Sequence, residues 1–179
     1  NRTYFPMTEA LSFSAHTPKS DVFARTLDHL TSLGLRTTHM DDARPWGGFY
    51  YIDETQAERF IRTWFPELDP KDFEGFSKLS PKILLVAPHA RLSWQYHHRR
   101  SEIWTVIGGN AAIVVSDTDE EGPQRDLPLG AFVRLRQGER HRLVGVEEWG
   151  VIAEIWQHTD PAHPSDEEDI VRVQDDFGR

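Results

Sequence analysis

From Lys82 onwards the chain is cut into short apolar or alternating runs, and no other feature limits its possible folds so strongly. The runs cover 82–87, 91–97, 102–107, 110–115, 131–136, 141–146 and 150–157, with Gly, Pro or charged residues between them. Such spacing predicts antiparallel strands that close into a β sandwich or barrel. The texture before Lys82 is different. Val22, Phe23, Leu27, Leu30 and Leu33 recur at helical spacing after a candidate N-cap at Ser20, and Gly34 closes the run. An apolar strand at 49–52 follows. Asp53 and Gln56 then have the spacing of a capping box, Ala57, Phe60, Ile61 and Trp64 form one helical face, and Pro66 stops it. Residues 66–81 read as loop. The expected division is a helical arm over 1–40 and a β domain over 41–179, with a helix-plus-loop insertion at 53–81.

A chain of 179 residues can bury a core without staples. It has no cysteine, which excludes thiol chemistry, disulfides and Cys-based zinc sites, and leaves cytoplasm as the default compartment. No apolar run approaches the length of a membrane span. The net charge of −9 disfavours nucleic acid and anionic membranes as partners. Yet 16 of the 20 basic residues are Arg, and half of those lie between Arg91 and Arg142. Arginine is suited to bidentate capture of phosphate or carboxylate.

The informative segment is Ser93-Trp94-Gln95-Tyr96-His97-His98-Arg99-Arg100-Ser101-Glu102. On a strand, Ser93, Gln95 and His97 share one face, and Trp94, Tyr96 and His98 share the other. A tight turn at Arg99–Ser101 brings Glu102 back beside His97. If the strands close, His141 enters the same interior from a third strand. Gln95, His97, Glu102 and His141 then form a mixed nitrogen–oxygen set. It suits one divalent ion: zinc, or manganese, iron, cobalt or nickel. His98 falls on the outer face, and His89, His158 and His163 read as surface or structural. Trp94, Trp104, Trp149 and Trp156 read as core. Glu154, on a late apolar strand, is a candidate base, with a strand-edge salt bridge as the alternative role.

These residues resemble the two cupin motifs. Gln95-x-His97, Glu102 and Gly108-Gly109 are similar to the first, in the variant that opens on Gln. Gly130 to His141 is similar to the second, with Arg136 in the usual Pro place. Three further stretches resemble the isomerase domain of the type II phosphomannose isomerases: Arg44-Pro45-Trp46-Gly47, Arg91 to His98, and the tail from Asp169-Ile170-Val171-Arg172 to Phe177-Gly178-Arg179. The resemblance implies a mainly β cupin barrel and a metal-dependent aldose–ketose isomerase. Its reaction would convert mannose 6-phosphate to fructose 6-phosphate through a cis-enediolate, with zinc the usual ion. It points to Ser93 as a substrate contact. Lys82, Arg134, Arg172 and Arg179 are the candidate phosphate anchors, with Arg172 grouped beside Glu154 as a catalytic candidate. Cupins commonly pair, so a homodimer is expected. The family often has a third His where Arg99 stands. Three alternatives stay open: an isomerase or epimerase of a heptose or pentose phosphate, a non-catalytic cupin that binds metal and sugar, and a metal-dependent dioxygenase of the cupin type, which would give no role to the tail arginines.

Overall fold

The computed structural model describes residues 11–179; the first ten residues of the expected arm lie outside the described residues. Two antiparallel sheets share one interior. The larger runs in the order β1 (Thr37–Arg44), β2 (Gly47–Ile52), β3 (Lys82–Val86), β10 (Gly150–His158), β5 (Arg100–Gly108) and β8 (Phe132–Leu135). The smaller runs β11 (Val171–Gln174), β4 (Trp94–Tyr96), β9 (Arg140–Val144), β6 (Ala111–Ser116) and β7 (Arg125–Leu127). Every run anticipated after Lys82 is a strand. The unanticipated strands, β1, β7 and β11, are polar or only a few residues long, so they carry little apolar signal.

Both faces of the larger sheet are covered, and β10 shows how. Val151, Ala153 and Ile155 face outward into an apolar cluster, while Ile152 joins the cluster between the sheets. The inner cluster unites Leu84, Val86, Val106 and Ile152 of one sheet with Ala111, Ile113, Leu127 and Leu143 of the other. It fills one end of the barrel with hydrocarbon.

The outer cluster is made with two helices. α1 (Lys19–Ser32) buries Val22, Phe23 and Leu30 there. At about 1.5–3 kcal/mol per buried large side chain, these residues anchor the arm to the same body. Ser20 is not its cap. The Pro18 carbonyl already accepts from Asp21 N and Val22 N, which puts Ser20 inside the first turn. Leu27 turns outward. α2 (Ala57–Trp64) buries the four expected residues. No capping box forms at Asp53. Its carboxylate accepts from Thr55 N at 3.0 Å, and the Gln56 amide bridges Arg36 N and Gly34 O, each at 2.7 Å. The loop after α2 is packed: Phe65, Leu68, Phe73 and Leu79 are buried in the outer cluster.

Gly47 is required where β2 crosses β3. Its φ is +140°, and a Cβ would lie 1.9 Å from Leu85 O. Among the described residues, no helix is long and apolar enough to cross a membrane.

Candidate metal centre

The opposite end of the barrel is polar. Register sets this up: Gln95 of β4 pairs with His141 of β9, while Glu102 of β5 lies between Trp156 of β10 and Leu135 of β8. Parity then turns Gln95, His141 and Glu102 inward, and His97 joins them from the turn after β4. That turn occupies 97–99, so β5 begins at Arg100, slightly earlier than expected. The Gly138 N–H donates to His97 O at 3.1 Å and ties the β8–β9 turn to it. Gly138 has φ +77°, so only glycine enters this turn without strain.

His97, Glu102 and His141 are all buried, and their ligand atoms lie within 4.8 Å of one another. His97 Nε2 is 3.3 Å from Glu102 Oε1, and His141 Nε2 is 3.3 Å from Glu102 Oε2. Glu102 Oε2 and His141 Nε2 are buried without a hydrogen-bond partner among the described residues. Leaving both orphaned is costly unless a further group sits there. Each imidazole is held through its other nitrogen: His97 Nδ1–H donates to Asp169 O at 2.7 Å, and His141 Nδ1–H to Glu139 O at 3.0 Å. Both Nε2 lone pairs therefore face the cavity, the usual outer arrangement of a metal-binding histidine. Burial lowers the His97 pKa to about 3, which keeps the ring neutral. Burial opposes ionisation of Glu102, yet His97, Arg100 and His141 outweigh it and hold its pKa well below the ordinary range. Burial opposes a charge on His141, but Glu102 outweighs it and raises the His141 pKa, so this ring would give up a proton as an ion took its place; two imidazoles and a carboxylate then fit a divalent transition ion. Gln95 Nε2 lies 3.4 Å from His97 Nε2, and Gln95 Oε1 accepts from Ser93 Oγ at 2.6 Å. Turning that amide over exchanges its two ends and presents oxygen to the centre.

A cleft open to solvent leads to this cluster. Glu154 is buried on its wall. Trp156 Nε1–H donates to Oε1 and Trp104 Nε1–H to Oε2, each at 2.7 Å. Burial and the Glu102 charge raise its pKa to about 7, against the pull of Lys82 and Arg100. Arg100 is buried too. Its Nε donates to Glu102 Oε1 at 2.9 Å, an Nη contacts His97 Nε2 at 3.2 Å, and its guanidinium lies 3.6 Å from the Trp156 ring centre. Arg44, Arg172 and Arg179 line the mouth. Arg44 is paired with Asp41 and Arg179 with Asp175. Arg172 Nε is buried without a hydrogen-bond partner among the described residues, and burial together with Arg179 lowers the Arg172 pKa.

The remaining wall is an irregular strap over 159–170. Asp169 fastens it: its carboxylate accepts from His98 N, Arg99 N and Ser165 Oγ at 2.9, 2.9 and 2.6 Å. Burial works against that carboxylate, but these bonds hold its pKa at about 2. Arg100 reaches across to Ser165 Oγ and Asp166 O at 2.8 and 2.9 Å.

Comparison with known proteins places this geometry. A family model described as "Mannose-6-phosphate isomerase C-terminal" matches residues 71–175. The chain belongs to that family. It is 28% identical over 148 residues to the xanthan biosynthesis protein XanB of Xanthomonas campestris pv. campestris (strain B100), covering 80% of this chain and 24% of that protein. It is 31% identical over 124 residues to mannose-1-phosphate guanylyltransferase 2 of Escherichia coli O157:H7, covering 65% of this chain and 21% of that protein. The chain thus spans about a quarter of the length of these relatives. Among solved structures, the formate complex of Lactobacillus farciminis oxalate decarboxylase is 13% identical with a TM-score of 0.53, over 77% of this chain and 35% of that one. Vicilin from Solanum lycopersicum is 15% identical with a TM-score of 0.50, over 78% and 35%. These likenesses concern the fold, which is that of the cupins.

In this member of the mannose-6-phosphate isomerase C-terminal family, the expected residues divide. Gln95, His97, Glu102, His141, Glu154, Arg172 and Arg179 gather at the cleft. Arg134 does not: it is exposed on β8 with its guanidinium 5.4 Å from the Phe132 ring centre, because strand parity turns it opposite to Val133 and Leu135. Ser93 is buried behind Gln95 and orients that amide. Lys82 lines the cleft, but its ammonium is taken by Glu167 at 2.6 Å. Arg100, Trp104, Glu167 and Asp169 were not anticipated as site residues. Arg100 and Trp104 had an available signal, since they flank Glu102 at two-residue spacing on one strand. Glu167 and Asp169 sit in irregular backbone and had none.

Proposed function

We propose that this chain is a metal-dependent aldose–ketose isomerase acting on mannose 6-phosphate to give fructose 6-phosphate. The observation that carries the reading is the meeting, in one cleft, of a ligand set for a divalent ion with a carboxyl group poised near neutrality. Family membership supports it. His97, Glu102, His141 and Gln95 would hold the ion. When bound, a divalent ion stabilises negative charge building on the sugar oxygens.

The chain's own groups do the rest. Glu154 takes the proton from carbon 2 of the open-chain aldose and returns it to carbon 1, through a cis-enediolate. The two indole N–H groups occupy one lone pair on each carboxylate oxygen, fix its plane and leave lone pairs for the proton. Arg172, whose Nε has no hydrogen-bond partner among the described residues, takes the phosphate at the mouth with Arg179 beside it and orients the reacting carbons from a distance. A cytoplasmic homodimer completes the reading.

The test removes metal with a chelator and follows fructose 6-phosphate formation. Activity should vanish with the metal and return on adding zinc or manganese. Undiminished turnover after verified metal loss overturns the reading. Turnover of a pentose or heptose phosphate in place of mannose 6-phosphate moves the assignment to that sugar.

A further inference from the structure

Lys82 and Glu167 form a built device within the cleft. The Lys82 ammonium lies 2.6 Å from Glu167 Oε1 and its side chain is only 6% exposed. Three aromatic rings enclose it, with centres 4.0 Å (Phe49), 5.3 Å (Tyr51) and 5.3 Å (Trp156) away. An incoming phosphate would have to displace Glu167 and gain little, so Lys82 serves the carboxylate rather than the substrate's anion. The Tyr51 hydroxyl also donates to Glu167 Oε1, at 2.7 Å. Both bonds fall on the same oxygen. No described residue donates to Oε2, and Glu167 lines the cleft with its side chain about a third exposed.

A carboxylate with one oxygen locked by two donors and the other open is a pre-oriented acceptor. Its partner must be a donor. A phosphate is repelled, while a hydroxyl is matched. We propose that Glu167 is a specificity-determining residue of this cleft, accepting on Oε2 a hydrogen bond from one hydroxyl of the sugar chain while Tyr51 and Lys82 hold Oε1. The substrate's phosphate then belongs at the arginine side of the mouth and its polyol portion at the strap. The assignment rests on the sugar-phosphate reading given above. It is separate from the proton transfer, because a carboxylate bonded to an ammonium at 2.6 Å is a poor base.

The test compares the metal-loaded protein on mannose 6-phosphate and on its 3-deoxy and 4-deoxy analogues. Wild type should lose roughly tenfold to a hundredfold in kcat/KM on one of the two analogues. Glu167→Ala should lose a similar factor on mannose 6-phosphate and nothing further on that analogue. Tyr51→Phe keeps the Lys82 partner and so preserves the fold; it should weaken the discrimination roughly threefold to tenfold. Calorimetric binding of mannitol 1-phosphate and its matching deoxy analogue reports the same contrast without turnover. Full discrimination retained in both variants, or equal use of all three sugars by wild type, overturns the assignment. Absence of any sugar-phosphate turnover in wild type is a different result. It removes the functional reading itself, and the assignment with it.

Discussion

The barrel wall and the C-terminal strap both line the cleft, yet they are built by opposite means. On the wall, Gln95, Glu102, His141 and Glu154 are aimed by strand alternation and register. On the strap, Glu167 and Asp169 sit in irregular backbone and are aimed by side-chain and main-chain hydrogen bonds. The wall supplies groups that meet the ion and the reacting carbons. The strap supplies groups that hold those groups still or read the rest of the ligand. A regular element fixes direction cheaply, since neighbouring hydrogen bonds already set it. An irregular one must be pinned contact by contact.

Four substitutions sharpen or break this contrast. The largest effect should fall on the wall. Glu154→Gln should lower kcat by roughly a hundredfold to ten-thousandfold while leaving metal occupancy intact, as stopped assays and metal analysis would show. The wild-type rate should rise with pH through about 7, as the raised Glu154 carboxyl loses its proton, and this limb should vanish in the variant. Persistence of the limb would reassign the base. Next comes His97→Ala or His141→Ala, each weakening metal affinity on the order of a hundredfold or more by competition titration, with the barrel still folded by circular dichroism. The smallest effect should come from the strap. Asp169→Ala removes the clamp on the turn carrying His97 but leaves the main-chain carbonyl, so metal affinity should drop by about tenfold. It should also cost stability near neutral pH, a cost that disappears in acid. The Asp169 pKa is lowered to about 2 in the folded chain, so its contribution is present above the ordinary carboxylate range and fades as pH falls towards 2. The variant's unfolding midpoint should therefore change less over that interval. A strap variant that hurts metal binding as severely as a ligand variant would erase the division.

The same contrast explains what was legible in the sequence. The ligand set could be read because alternation is a strict two-residue rule, which also excluded His98, an exposed residue here. Extending the rule two residues to either side of Glu102 leads to Arg100 and Trp104. Arg134 failed for the same reason that the others succeeded: charge type suggested it, and parity opposed it. Lys82, expected as a phosphate anchor, lines the cleft but is held by Glu167, 85 residues away, and no local pattern carries such a pairing. The capping boundaries failed where a side chain had a better distant use, as with the Gln56 amide spanning to the end of α1. The helical arm and the insertion were legible as helices. Their common packing on the outer face of the larger sheet was not, because apolar periodicity says that a face is buried without saying against what.

The bond from the His97 ring to the carbonyl of Asp169 has a consequence for how such a centre can be tuned. A main-chain oxygen cannot be exchanged by changing the residue that bears it. Only displacement of the backbone can lengthen or shorten that contact. Insertions and deletions between Thr159 and Asp169, rather than point changes, thus become the dial through which this scaffold can adjust how firmly it grips an ion.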